Sequence, residues 1–177
     1  MRPLLRLRAV HTAIAYEGAG LELVRRFKFE HRHDARELLV HWLGLRVRPL
    51  RFDAIVPLPR HPARVRSEGA DPVHALARGL ARATGVRLFG RALWRARATP
   101  PQTGLTLAAR RANVAGSFAA RPGALRGRRV LLLDDVATTG ATLAEAARAL
   151  RRAGATRIAL AAAAGTPAME TRSAPVL

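Results

Sequence analysis

The sequence predicts an α/β fold with a mainly parallel central sheet flanked by helices. Three observations carry this. Val130-Leu131-Leu132-Leu133 is an unbroken apolar run without polar alternation, the pattern of a strand buried on both faces. Residues 141–153 follow at helical periodicity with Gly154 just past the end, and residues 157–163 form another apolar strand candidate. Upstream, residues 52–56 and 71–84 repeat the same strand-then-helix order. Strands that alternate with helices build βαβ units and hence a parallel sheet.

Each element has its own signals. Leu21, Val24 and Phe27 recur at helical spacing, as do Leu38, Leu39, Trp42 and Leu43, with a polar break over residues 28–33. These stripes, Trp42 included, are expected to face a core. Residues 1–50 therefore read as a helical region packed on a core formed by residues 51–177. Residues 52–56 read as a short buried strand stopped by Pro57 and Pro59. Asp71 suits an N-cap and Pro72 the first helical position. Val73, Leu76, Ala77, Leu80 and Ala81 then mark one apolar face, and Gly85 fits the end. A further short strand is expected within 86–94 and another within 114–119. Between them, residues 95–112 are polar, basic and carry Pro100-Pro101, which predicts a long loop of the kind that serves function.

Composition narrows the function classes. A length of 177 residues is a prior for one domain, and a chain this size buries roughly 70% of its unfolded surface without metal or disulfide staples. Cysteine is absent, which excludes disulfides, zinc ribbons, iron–sulfur clusters and thiol nucleophiles. No apolar run approaches the ~20 residues of a membrane span. Arg6 and Arg8 interrupt the N-terminal apolar stretch, so the expectation is no signal peptide, no membrane and a cytoplasmic location. The histidines lack the spacing of a helical metal pair, and an aromatic content of 5% is too sparse for a base-stacking platform. Net charge is +19, with Lys28 the only lysine. Part of the arginine excess reflects codon bias. The asymmetry still calls for a physical reading: no acid lies between Asp71 and Asp134, while that span holds 12 arginines. Such a stretch is suited to phosphates or nucleic acid, the alternative being a solvated basic face with no partner.

The informative segment runs from Val130 to Leu143. Asp134 and Asp135 sit where the apolar strand ends. A small-residue turn, Ala137-Thr138-Thr139-Gly140-Ala141-Thr142, leads into the next helix. Open α/β sheets bind ligands beyond the carboxyl ends of their strands. The turn can aim several backbone N–H groups into one concavity, with Gly140 allowing the backbone angles, and the helix start adds a positive dipole end. The threonines add hydroxyl donors. This is a phosphate cradle without a lysine, and no Walker pattern is present. Two carboxylates beside a phosphate are tolerated if they meet sugar hydroxyls or a hydrated divalent cation. A phosphorylated ribose supplies the hydroxyls.

This segment resembles the phosphoribosyl pyrophosphate (PRPP) motif of type I phosphoribosyltransferases. Tyr16-Glu17-Gly18, Phe27-Lys28-Phe29, Asp53-Ala54-Ile55-Val56-Pro57-Leu58-Pro59, Arg97-Ala98-Thr99 with Gln102, Arg111-Ala112-Asn113-Val114 and Phe118 narrow the likeness to the ComF/GntX family. These are amidophosphoribosyltransferase-like proteins linked to natural competence and DNA uptake. The resemblance spans residues 14–163. It implies the type I phosphoribosyltransferase fold with a mobile lid loop. It further implies Mg²⁺-dependent, glycosyltransferase-type transfer of phosphoribose to a nitrogen nucleophile, with Asp134 and Asp135 on the ribose hydroxyls. Residues 137–142 would hold the 5′-phosphate, and Pro57, Leu58, Pro59 and Arg60 the pyrophosphate with Mg²⁺, with no protein-only metal site. The lid would use Arg97, Thr99 and Gln102, with Arg110, Arg111 and Asn113 at its base. An alternative role is non-catalytic: a competence accessory factor that binds single-stranded DNA or the uptake helicase through its basic face. Family members begin with a four-cysteine zinc ribbon, which this cysteine-free chain lacks. Where they carry Arg-Gly-Phe-Asn-Gln, this chain has Glu68-Gly69-Ala70-Asp71-Pro72, keeping the glycine and the helix start.

Overall fold

The computed structural model describes residues 10–30, 32–60, 71–97 and 107–166. Four parallel strands form the central sheet: β1 (Val10–Ala15), β2 (Ala54–Pro57), β5 (Arg129–Ala137) and β6 (Arg157–Gly165), in the order β1-β6-β5-β2. Residue Leu88 bridges Ile55 in parallel on the outer side of β2. A separate antiparallel ribbon joins β3 (Leu93–Arg95) to β4 (Phe118–Ala120).

Helices cover both faces. The sheet face carrying Ile55, Leu131, Leu133, Ala161 and Ala163 is covered by α1 (Gly18–Phe29), α2 (His33–Val47) and α3 (Pro72–Thr84), through Phe27, Leu39, Leu43, Leu76 and Leu80. On the other face, Val56, Val130, Leu132 and Ala162 meet α5 (Ala141–Arg152) through Leu143, Ala146 and Leu150. Leu131, Leu132 and Leu133 are fully enclosed, each side chain contributing about 1.5–3 kcal/mol of burial. The short helix α4 (Leu107–Val114) precedes β4. Asp71 caps α3 as its residue type predicts: its Oδ1 accepts the His74 N–H at 3.0 Å, and Gly85 takes the left-handed conformation at φ 70°.

Four features depart from the sequence expectation. Val10–Ala15 is a strand in the region read as helical. Its pairing with β6 makes it the edge of the main sheet, a position set by a partner about 150 residues away in sequence, so local periodicity does not reveal it. Within the stretch read as loop, residues 107–112 are helical, part of α4. Leu21, Leu38 and Trp42 are 43%, 45% and 38% exposed, because Val24 and Phe27 supply the buried stripe of α1 and Ala35, Leu39, Leu43 and Val47 that of α2. Finally, β5 does not stop at the acids. It stays paired with β6 through Ala137↔Gly165, so Asp134 and Asp135 lie within the strand.

The placement of α1 matters for the site. A Cβ at Gly20 would run into the Ala15 carbonyl oxygen, so only glycine lets the helix start this close to the end of β1. From there α1 passes β6 and reaches the end of β5, where Lys28 meets Asp135.

Candidate functional site

The acids and the turn converge at the carboxyl ends of β5 and β2. Strand residues alternate between faces. Odd-numbered Leu131 and Leu133 face α1–α3, so Asp135 points the same way, and Asp134 points to the face that α5 covers. The backbone N–H of Asp135 donates to Asp134 Oδ1 at 2.8 Å, and that of Val136 donates to Asp135 Oδ1 at 2.7 Å. The Lys28 ammonium pairs with Asp135 Oδ2 at 2.7 Å, both side chains largely enclosed. Burial pushes the Asp134 carboxyl well above the usual carboxylate range, and the neighbouring Asp135 charge adds to this; the Asp135 N–H and Lys28 oppose it without cancelling it.

After Ala137 the chain turns sharply. Gly140 is the N-cap of α5 in the left-handed conformation, φ 68° and ψ 4°. No side chain caps this helix and its first turn holds no acid. The early N–H groups of a helix have no intrahelical partner, so this end favours an anion. The Ala141 N–H leans weakly on Thr139 Oγ1 at 3.4 Å. Thr138 is exposed, Thr139 and Thr142 are half-buried, and Ala141 is buried. Thr166 steadies the turn from β6: its N–H donates to the Ala137 carbonyl at 3.1 Å and its hydroxyl to the Thr138 carbonyl at 3.0 Å.

The loop after β2 is level with the acids, since Pro57 pairs with Leu133 in register. The Leu58 N–H donates to the Leu133 carbonyl at 2.7 Å, and Leu58 is buried while Pro59 and Arg60 are half-buried. Arg95 of β3 donates to the Pro59 carbonyl at 3.0 Å and lies over the Phe118 ring, linking this loop to the ribbon.

The residues expected of the lid divide. Arg97 sends its guanidinium to the Asn113 and Ala115 carbonyls at 3.1 and 3.0 Å, closing the end of α4 onto the end of β3. Asn113 is half-buried on α4, and Arg110 and Arg111 belong to the same helix. Thr99 and Gln102 fall outside the described residues, as do 61–70. Three residues that the sequence analysis gave no role at the site now contact its elements: Lys28, Arg95 and Glu145. Glu145, buried on α5, accepts the Gly116 N–H at 3.0 Å and pairs with Arg148, tying the segment after α4 to α5. Of these only Lys28 left a sequence signal, as the sole lysine among so many arginines.

This geometry is that of the type I phosphoribosyltransferase fold, a parallel sheet flanked by helices, here with an acidic pair and a small-residue turn at one strand end. The chain belongs to the phosphoribosyl transferase domain family, which matches residues 65–174. Within that family it is ComF-like. It is 32% identical to Competence protein F of Haemophilus influenzae over 141 residues, which is 75% of this chain and 62% of that protein. It is 31% identical to DNA utilization protein YhgH of Escherichia coli over 143 residues, 77% of this chain and 63% of that one. The chain thus spans less than two thirds of the length of these relatives. Among solved structures, the glutamine PRPP amidotransferase of B. subtilis superposes with a TM-score of 0.51 at 24% identity, over 76% of this chain and 29% of that one, a likeness of fold. No helix among the described residues is long and apolar enough to cross a membrane.

Proposed function

We propose that this domain binds PRPP across the carboxyl ends of β5 and β2 and transfers its phosphoribosyl group to a nitrogen nucleophile. The observation that carries the reading is the adjacency, at one end of the sheet, of two acids, an uncapped helix start and the Pro57–Arg60 loop. Asp134 and Asp135 accept from the ribose 2′- and 3′-hydroxyls. Residues 137–142 donate to the 5′-phosphate. Pro57, Leu58, Pro59 and Arg60 receive the pyrophosphate. The bond from C1 to the pyrophosphate oxygen breaks, the electron pair leaves with that oxygen, and the nucleophile's nitrogen forms the new bond to C1. Positive charge develops on the sugar between these events, and the carboxylates stabilise it. The lid, based on Arg97 and α4, keeps water from the reactive sugar.

The donor set fits Mg²⁺ brought in by the ligand. Mg²⁺ commonly takes most of its ligands from substrate phosphates and water, with one or two carboxylates, and Asp134 and Asp135 are the carboxylates at this strand end. When bound, Mg²⁺ supplies charge neutralisation on the departing pyrophosphate. The test is incubation with PRPP and Mg²⁺ across a panel of nucleobases and amines, scoring pyrophosphate release, with calorimetric titration of PRPP alongside. Release with at least one acceptor is expected. Neither release nor binding overturns the reading.

The acid-free basic span between Asp71 and Asp134 favours a second, compatible role: holding single-stranded DNA, or an uptake helicase, in a cytoplasmic competence pathway. Affinity for a labelled oligonucleotide is expected to fall linearly in a log–log salt plot, with a slope of about −0.7 per phosphate contacted. Absence of binding at low salt sinks it.

A further inference from the structure

We propose that Lys28 is a positioning residue of the PRPP site, delivered by α1 to hold Asp135 in place and to offset one of the two acid charges that the ligand's phosphates would otherwise meet. The assignment rests on the PRPP reading above and adds to it a residue from outside the motif.

The geometry supports it in three ways. First, the pair is enclosed: Lys28 and Asp135 side chains are 17% and 12% exposed, whereas the other ion pairs of α1, Glu22 with Arg25 and Arg26 and Arg25 with Glu30, are 39–54% exposed. Enclosed pairs gain little net stability because desolvation offsets their attraction, so a mere clamp for α1 is a weak reason for this one. Second, the contact completes Asp135. One carboxylate oxygen takes the Val136 N–H and the other takes Lys28, so its rotamer is set from both sides. Third, the cation is the chain's only lysine, among thirty arginines. An ammonium is a compact point charge with three donors, while a guanidinium is a broad planar fork. One donor serves Asp135 Oδ2, and a compact head leaves room for a sugar beside it. Without this charge, both acids would keep their full charge beside the ligand, and Arg60, the ligand's Mg²⁺ and backbone dipoles would have to offset the repulsion from the far side.

The experiment uses the full chain and its Lys28→Met and Lys28→Arg variants, with calorimetric titration of PRPP at fixed Mg²⁺ and a melting temperature for each. Lys28→Met keeps most of the apolar stem and is expected to bind roughly 10–100-fold more weakly, the size set by losing a hydrogen bond to a charged group. Lys28→Arg restores the charge and is expected to regain part of that loss. Lys28→Met is expected to melt lower in either case, because it leaves the enclosed Asp135 carboxylate unpaired; a clamp alone predicts unchanged affinity in both variants. A second readout needs no variant. Lys28 and the chain's α-amino group are the only amines, so reductive methylation read by mass spectrometry follows Lys28 against an internal control. Saturating PRPP is expected to slow methylation of Lys28 alone, and an unchanged rate overturns the proposal. Wild-type protein that binds no PRPP overturns the parent reading and this assignment with it. Wild-type binding with an indifferent Lys28→Met variant overturns this assignment only.

Discussion

Asp134→Asn is expected to abolish PRPP binding while raising the melting temperature at neutral pH. Both effects follow from where the carboxyl sits. Enclosure at the end of β5, next to Asp135, raises its pKa well above the ordinary value. A carboxyl raised in the folded state binds its proton more tightly there than in the unfolded chain. Its stabilising contribution is therefore complete below the ordinary carboxylate pKa and disappears as pH rises through the folded value. Above the ordinary carboxylate pKa, folding therefore costs stability, first as a proton that the folded carboxyl takes up and, past the folded value, as an enclosed charge. Asparagine keeps the shape and incurs neither cost, so the variant melts higher at pH 7, and the gap closes as pH falls toward 4. Ribose binding moves the other way, because the amide loses an acceptor and the charge that stabilises the developing cation. Loss of one such preorganised group costs on the order of 10²–10³ in turnover. Asp135→Asn is expected to lose binding equally but to melt lower, since it leaves the enclosed Lys28 ammonium unpaired. Calorimetric titration with PRPP, together with melting curves from pH 4 to pH 8, separates these outcomes. Unchanged PRPP affinity in both variants refutes the site.

Gly140→Val carries the second large effect. At φ 68° a β-branched residue is strained, and a left-handed residue costs roughly 1–2 kcal/mol. For a domain of this size each kcal/mol lowers the melting temperature by about 2–4 °C. The functional loss is expected to exceed the stability loss. The turn binds through the direction of its N–H groups, and a misplacement of about 1 Å can cost 10²-fold. Titration with ribose 5-phosphate, which offers the 5′-phosphate without the pyrophosphate, reads this turn in isolation. Affinity within twofold of wild type would show that residues 137–142 do not form the phosphate cradle.

The core elements were legible because their signals are local. The run Val130–Leu133 has no polar alternation, Asp71-Pro72 starts a helix that Gly85 ends, and Gly140 marks the one backbone conformation the turn requires. The acids were legible for the same reason: a strand, two carboxylates and a small-residue turn are adjacent in the chain. Other features were hidden because their cause is remote. Val10–Ala15 is a strand only because β6 offers it an edge. Trp42 lies on an apolar-looking helix whose buried face is chosen by α3 and the sheet, and they select Leu39 and Leu43.

By itself, then, the sequence determined the alternation of strands and helices and the adjacency of two acids to a small-residue turn, since each depends on neighbours a few positions apart. Tertiary structure alone decided that Lys28 reaches Asp135 over more than a hundred residues of chain. It also turned Arg97 to the end of α4 and linked Arg95 to the Pro59 loop. Those contacts depend on where whole elements come to rest, and a long flexible cation can pair with any acid or carbonyl that packing brings within reach.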